Sequence, residues 1–192
     1  MLRSQHPARF ARAPADTPDA PDAPPENAYA SAEDERKAAE QAALRILGGA
    51  AQSEAALCRR LQRRGFSDEA SRAAAESSVR AGYVNDGALA QSIVDRRRGK
   101  RGAIRIAAEL RARGLEDDVA HAAMSGVSAD EQRDSALREA RRRLRAGLPD
   151  DRAERRRALG RVAGALSRLG FSGDVVAYAL RTAGADPGED AA

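Results

Sequence analysis

Apolar positions fall at helical rather than strand spacing along most of this chain, and one arrangement of them occurs three times. Leu57-x-x-x-Leu61-x-x-x-Gly65-Phe66 recurs as Ile106-x-x-x-Leu110-x-x-x-Gly114-Leu115 and again as Val162-x-x-x-Leu166-x-x-x-Gly170-Phe171, at offsets of 49 and 56 residues. Residues i and i+4 share one face of a helix. A glycine just past the last turn can take the left-handed conformation that closes the helix, and the large apolar residue after it can fold back onto that turn. Each copy therefore predicts a helix end docked into a core. Three copies predict a tandem helical repeat, an architecture that serves binding more often than chemistry.

The breaks between apolar stripes supply the other elements. A first helix is expected from Glu33 to Leu47, ended by Gly48-Gly49. Ser53 reads as the N-cap of a helix to Arg64, and Ser67 or Asp68 as the start of one to about Arg80. Asn85 or Asp86 can cap a helix that places Leu89, Ala90, Ile93 and Val94 on one face and ends near Arg98. After the turn Gly99-Lys100-Arg101-Gly102 come helices from Ile104 to Arg113 and from Asp117 to about Ser125. Ser128-Ala129-Asp130-Glu131 fits a capping box that opens a helix to about Arg145. Asp151 can cap the next, to Leu169, and Ser172 to Thr182 forms the last. No Val/Ile-rich alternating run predicts a strand. The expected fold is all-α: three tandem three-helix modules, over 36–83, 84–127 and 128–184, forming an elongated, curved helical array. Each module is marginal alone, so neighbours are expected to support one another. A Pro/Ala-rich arm over 1–35 and an acidic tail over 185–192 flank them. Six of the eight prolines lie in the first 30 residues with almost no large apolar residue, so both flanks are read as disordered.

Composition narrows the picture. Hydrophobic residues make up 42% of the 192, but much of that is Ala, and aromatics are only 3%, which suits thin helix-on-helix contacts. The single cysteine, Cys58, excludes an internal disulfide framework and suits a reducing compartment. There is no apolar run long enough for a membrane span and no apolar signal core at the N-terminus, so a cytoplasmic protein is expected. Charge is uneven: residues 1–35 carry net −4 and residues 185–192 net −3, whereas 36–184 hold 30 basic and 19 acidic side chains, net +11. A body this basic favours polyanions, either nucleic acid or a protein coated on it, although solvated helix faces would look similar.

Catalytic chemistry finds no foothold. There is no G-x-x-x-x-G-K-[ST] loop, and Gly99-Lys100-Arg101-Gly102, superficially like a phosphate loop, follows a helix rather than a strand and reads as a basic turn. No H-E-x-x-H and no cysteine pair writes a zinc site. His121 has no second ligand at i±4, and Cys58 has no matching His. Glu116-Asp117-Asp118 sits at a helix start, where the dipole favours acids. The expectation is a non-enzyme with no catalytic residue, no metal and no cofactor.

Taken in order, Gly82-Tyr83-Val84-Asn85-Asp86, Leu89-Ala90, Arg98-Gly99-Lys100-Arg101-Gly102 and Glu109-Leu110-x-x-x-Gly114-Leu115 resemble the centre of the RecX family. Ala43-Leu44-x-x-Leu47, Ser53 and the first copy of the repeated phrase agree, so the resemblance spans about residues 40–184. It implies a regulator of the RecA recombinase that binds the filament RecA forms on single-stranded DNA and suppresses ATP hydrolysis and strand exchange in recombination, repair and the SOS response. The alternatives are a direct DNA-binding helical-repeat protein and a passive helical scaffold; scarce aromatics argue against base stacking as the main mode.

The partner-binding candidates are basic clusters: Arg59 and Arg63 on the middle helix of the first module, Arg97, Arg98, Lys100, Arg101 and Arg105 around the turn in the second, and Arg142, Arg143 and Arg156 in the third. Arginine's fork matches carboxylates and phosphates bidentately. Single exposed pairs are weak, but many along one footprint add up in a salt-sensitive way. Consecutive arginines point about 100° apart on a helix, so some must pair internally; Asp134 with Arg138 and Glu139 with Arg143 have the i, i+4 spacing for that. Charge reversal at Arg97, Arg98 and Arg101 is expected to weaken filament binding while leaving helicity unchanged. Weak electrostatic binding to DNA, no membrane and a monomeric state complete the expectations.

Overall fold

The computed structural model describes residues 29–145 and 147–184. Among them are nine helices and no strand. The first three are α1 (Ala32–Gly49), α2 (Glu54–Gln62) and α3 (Asp68–Arg80). Then come α4 (Asp86–Arg97), α5 (Ala103–Ala112) and α6 (Asp117–Met124), followed by α7 (Ala129–Arg143), α8 (Arg152–Arg168) and α9 (Gly173–Gly184). Ser31, Ser53, Ser67, Asn85, Ser128 and Asp151 each cap a helix through a side-chain oxygen that accepts a backbone N–H. Each cap satisfies one of the donors that a helix start leaves without an internal partner.

The thrice-repeated phrase is a helix-closing device. Gly65, Gly114 and Gly170 have φ of 87°, 76° and 89°. The amides of the apolar residues that follow, Phe66, Leu115 and Phe171, donate back to the carbonyls of Leu61, Leu110 and Leu166 at 3.2–3.3 Å. The glycine amides donate to Gln62, Arg111 and Ser167. This is the Schellman pattern: it satisfies terminal carbonyls and turns the apolar residue onto the last turn. Leu61, Leu110 and Leu166 are fully buried as a result, with Leu115 and Phe171 nearly so. Gly82 and Tyr83 repeat the geometry after α3, through Tyr83 N–H to Ser78 O at 2.9 Å.

The chain divides into two compact units, the first ending at Val84 and the second beginning at Asn85. In the first, α1, α2 and α3 bury one cluster, and six of its ten residues are alanines (Ala39, Ala42, Ala43, Ala70, Ala74 and Ala75). Small side chains let these helices approach closely, and Ile46, Leu57 and Leu61 supply the bulk; each large side chain contributes roughly 1.5–3 kcal/mol on burial. Phe66 packs against the cluster and stacks on Tyr29, with ring centroids 5.9 Å apart. Glu35 ties α1 to the start of α3, accepting from Ser67 N–H at 2.7 Å and from its hydroxyl at 3.0 Å.

The second unit holds two clusters. Leu89, Ile93, Val94, Ile106, Leu110 and Leu115 centre the one between α4, α5 and α6. Val162, Leu166, Phe171, Val175 and Val176 centre the one between α7, α8 and α9. Backbone joins the two: Gly102 N–H donates to Leu169 O at 2.9 Å and Ile104 N–H to Gly170 O at 3.2 Å. A Cβ built on Gly102 would overlap the Gly170 carbonyl group, and one on Gly170 would overlap Arg105. Glycine is required at this crossing because only bare backbone can come so close.

Several local expectations change. Gly48 and Gly49 do not stop α1; neither takes positive φ, and the helix runs on until Ala50 turns extended. Residues 32–35, assigned above to the arm, form the first turn of α1, where Ser31 and Asp34 bond reciprocally and Glu33, Asp34 and Glu35 face the positive end of the helix dipole. The last helix runs over Gly173–Gly184 rather than Ser172 to Thr182. Residues 1–28 of the arm, with His6, and the tail over 185–192 lie outside the described residues.

Candidate functional site

The basic turn between α4 and α5 is held by carboxylates from elsewhere in the second unit. Arg97 makes a bidentate pair with Glu109 of α5, at 2.7 and 2.8 Å. The Arg97 hydrogen bond is the main reason the Glu109 carboxyl sits below its ordinary value, outweighing the opposing effect of its partial burial. Arg98 reaches α7: its Nε donates to Glu131 at 2.7 Å and its terminal nitrogen to Gly126 O at 3.0 Å. Half of the capping box predicted at Ser128 is consequently unmade. Ser128 does accept from Glu131 N–H at 3.1 Å, but the Glu131 side chain turns to Arg98. Neighbouring Gln132, 6% exposed, accepts from Ala103 N–H at 2.8 Å and so caps α5 from another helix. That supplies the cap that Gly102, with no side chain, cannot.

Across from the turn, α7 offers a second basic row. Glu139 accepts from Arg142 at 2.8 Å and from Arg143 at 2.7 Å, and these bonds hold its carboxyl below the ordinary range, with Arg142 the larger cause. The expected Glu139–Arg143 pair is present. Arg138, expected to pair with Asp134, instead donates to the Ser135 hydroxyl at 3.0 Å. Ser135 is buried one turn earlier on the same face, and that bond turns Arg138 toward Gly99, whose Cβ position lies 3.9 Å from the guanidinium.

Between these rows lies a cleft of about 430 Å3. The turn contributes Arg97, Gly99, Lys100 and Arg101; α7 contributes Ser135, Arg138, Glu139, Arg142 and Arg143; the end of α8 contributes Leu169 and Phe171. Six cations thus meet one carboxylate, which Arg142 and Arg143 already engage. Lys100 and Arg101 make no ion pair among the described residues.

Of the ten residues singled out from sequence, the fold brings Arg97, Lys100, Arg101, Arg142 and Arg143 together. Arg98 is turned to Glu131. Arg105 is exposed on α5 beside the glycine crossing, and Arg156 is exposed on the first turns of α8. Arg59 and Arg63 are exposed in the first unit, on and just after α2. Sequence reasoning missed Arg138 and Ser135 as cleft residues; their i, i+3 spacing, with Arg142 at the following i+4, puts all three on one face of α7. It had no means of seeing Glu109, Glu131 or Gln132 as the groups that position the turn.

The remaining chemistry-bearing side chains stay apart. Cys58 is half-buried and burial pushes its thiol up, which disfavours the thiolate. His121 is exposed. Among the described residues no group of three or more His, Cys, Asp or Glu side chains is placed to hold a metal ion, and no helix is long and apolar enough to cross a membrane.

The family model for the RecX second three-helix domain matches residues 85–124. The chain is 34% identical over 149 residues to the regulatory protein RecX of Streptomyces coelicolor, covering 77% of this chain and 78% of that protein. It is 36% identical over 166 residues to its counterpart in Thermobifida fusca, covering 84% and 86%. The crystal structure of RecX from Lactobacillus salivarius superposes with a TM-score of 0.68 over 79% of this chain and 97% of that one, at 18% identity, a likeness of fold.

Proposed function

The chain belongs to the RecX family of regulatory proteins, and from that premise we propose that it regulates the RecA recombinase by binding the filament RecA forms on single-stranded DNA and suppressing ATP hydrolysis and strand exchange. The observation that carries the reading is the surplus of cations around the turn between α4 and α5, where Lys100 and Arg101 have no acidic partner among the described residues and lie beside Arg138, Arg142 and Arg143. The single-stranded DNA of such a filament carries a phosphate at every nucleotide, and arginine pairs bidentately with phosphate. Arg105 and Arg156 add exposed cations on the second unit, and Arg59 and Arg63 on the first. Each exposed pair contributes little, on the order of 0–1 kcal/mol; repeated pairs give tight binding that weakens steeply with salt. The protein acts as a monomer in the cytoplasm, without a cofactor, and binds naked DNA only weakly through the same cations.

The test is RecA's DNA-dependent ATP hydrolysis with this protein added far below one copy per recombinase. Inhibition at that ratio supports a filament regulator. Inhibition only once the protein saturates the DNA instead identifies a direct DNA binder, and no inhibition at any ratio contradicts the proposal.

A further inference from the structure

An extended polymer bound along a surface needs charge but no concavity. The cleft between the α4–α5 turn and α7 has both, and its volume of about 430 Å3 lies in the range of small-molecule sites, roughly 300–1,000 Å3. Its lining is also divided in kind. Lys100, Arg101, Arg138 and Arg142 supply a dense set of N–H donors, while the partly exposed Leu169 supplies apolar surface, backed by the buried Phe171 and Ser135. Five of its six cations are arginines, whose planar forks fit phosphate oxygens better than a point charge does. From this combination we infer a site for a compact polyphosphate ligand bearing an aromatic ring, of the nucleoside triphosphate class, with the phosphates at Lys100, Arg101 and Arg138 and the ring against Leu169.

The site is held in place before any ligand arrives. Glu109 holds Arg97, Ser135 holds Arg138, and the glycine crossing sets the turn against α8. Less side-chain ordering therefore remains to oppose binding. Because Lys100, Arg101 and Arg142 also belong to the proposed filament-binding surface, a bound nucleotide would compete with the filament. That consequence rests on the function proposed above; the binding itself does not, and it is measured with no recombinase present.

The experiment is calorimetric titration of ATP, with and without magnesium, into the full-length protein at about 0.15 M salt, where surface charge is already screened beyond about 8 Å. The expected result is one saturable site, weakened at least about tenfold, 1.4 kcal/mol, by combined Lys100→Ala and Arg101→Ala and unchanged by Arg161→Ala, an exposed position of α8 outside the cleft. Both cleft substitutions fall on side chains with no ion pair among the described residues, and circular dichroism checks that the variant keeps its helix content. Arg138→Ala, expected to weaken binding similarly, is a second and independent variant. Adenosine alone is expected to bind at least about tenfold more weakly than ATP, and tripolyphosphate several-fold more weakly. No saturable binding, or equal weakening by Arg161→Ala, would show only diffuse attraction and overturn the site. Tripolyphosphate binding as tightly as ATP would overturn the role of Leu169.

Discussion

Replacing Gly102 with alanine should unseat the basic turn. The added Cβ would overlap the Gly170 carbonyl, and a backbone obstacle cannot rotate away as a side chain can. The turn and the end of α8 must move apart, straining the bonds from Gly102 to Leu169 and from Ile104 to Gly170. Overpacking a tight site costs about 1–3 kcal/mol, and each lost backbone bond about 0.5–1.5 kcal/mol. A destabilisation of about 2–6 kcal/mol is expected, a large part of the roughly 5–15 kcal/mol that holds a typical domain. Gly126→Ala is the control, since a Cβ there meets nothing within 4 Å. Urea unfolding followed by circular dichroism measures the loss, and hydrogen exchange at the amides of residues 102–106 locates it. A loss under about 0.5 kcal/mol, the scale of an ordinary surface change, together with unchanged exchange at those amides, would refute the argument that two glycines set this crossing.

Other outcomes follow from the same region. Gln132→Ala removes the acceptor that caps α5 from outside and should cost about 1–2 kcal/mol, read as a lower urea midpoint; no change would mean that water replaces the cap. Glu109 is held below its ordinary value by Arg97, so it contributes stability above the ordinary carboxylate range that is lost as pH falls through its lowered folded value. Unfolding measured from pH 6 to pH 2 should show this acid-side loss, and Glu109→Gln should flatten it; an unflattened profile would put the loss elsewhere. The structure also revises one expectation. Reversing Arg97 or Arg98 would set an acid against Glu109 or Glu131 and disturb the fold, so the variant that separates binding from stability is Lys100→Glu with Arg101→Glu, with an unfolding midpoint expected to stay near that of the parent.

Helix ends were legible in the sequence because a glycine followed by a large apolar residue is a local signal, as the Schellman bonds after Leu61, Leu110 and Leu166 demonstrate. Membership in the family was legible because such signals recur in order along the chain. The glycines at 48 and 49 misled because glycine permits a helix stop without compelling one. Least legible was what holds the turn. Glu131 was read as the closing half of its own capping box, whereas Arg98, 33 residues earlier, claims it. Arg138 was paired with Asp134 on spacing alone, but the buried Ser135 hydroxyl claims it. Spacing names the partners a helix makes available, and packing between helices decides which are used.

Whether Lys100 and Arg101 make the regulatory contact is tested most directly by the affinity of this protein for RecA filaments on single-stranded DNA across a salt series, with the parent and the Lys100→Ala, Arg101→Ala variant side by side. The account expects weaker binding of the variant at every salt concentration and a shallower decline with salt, since two fewer charges take part. Identical affinity and identical salt dependence in the two proteins would contradict it.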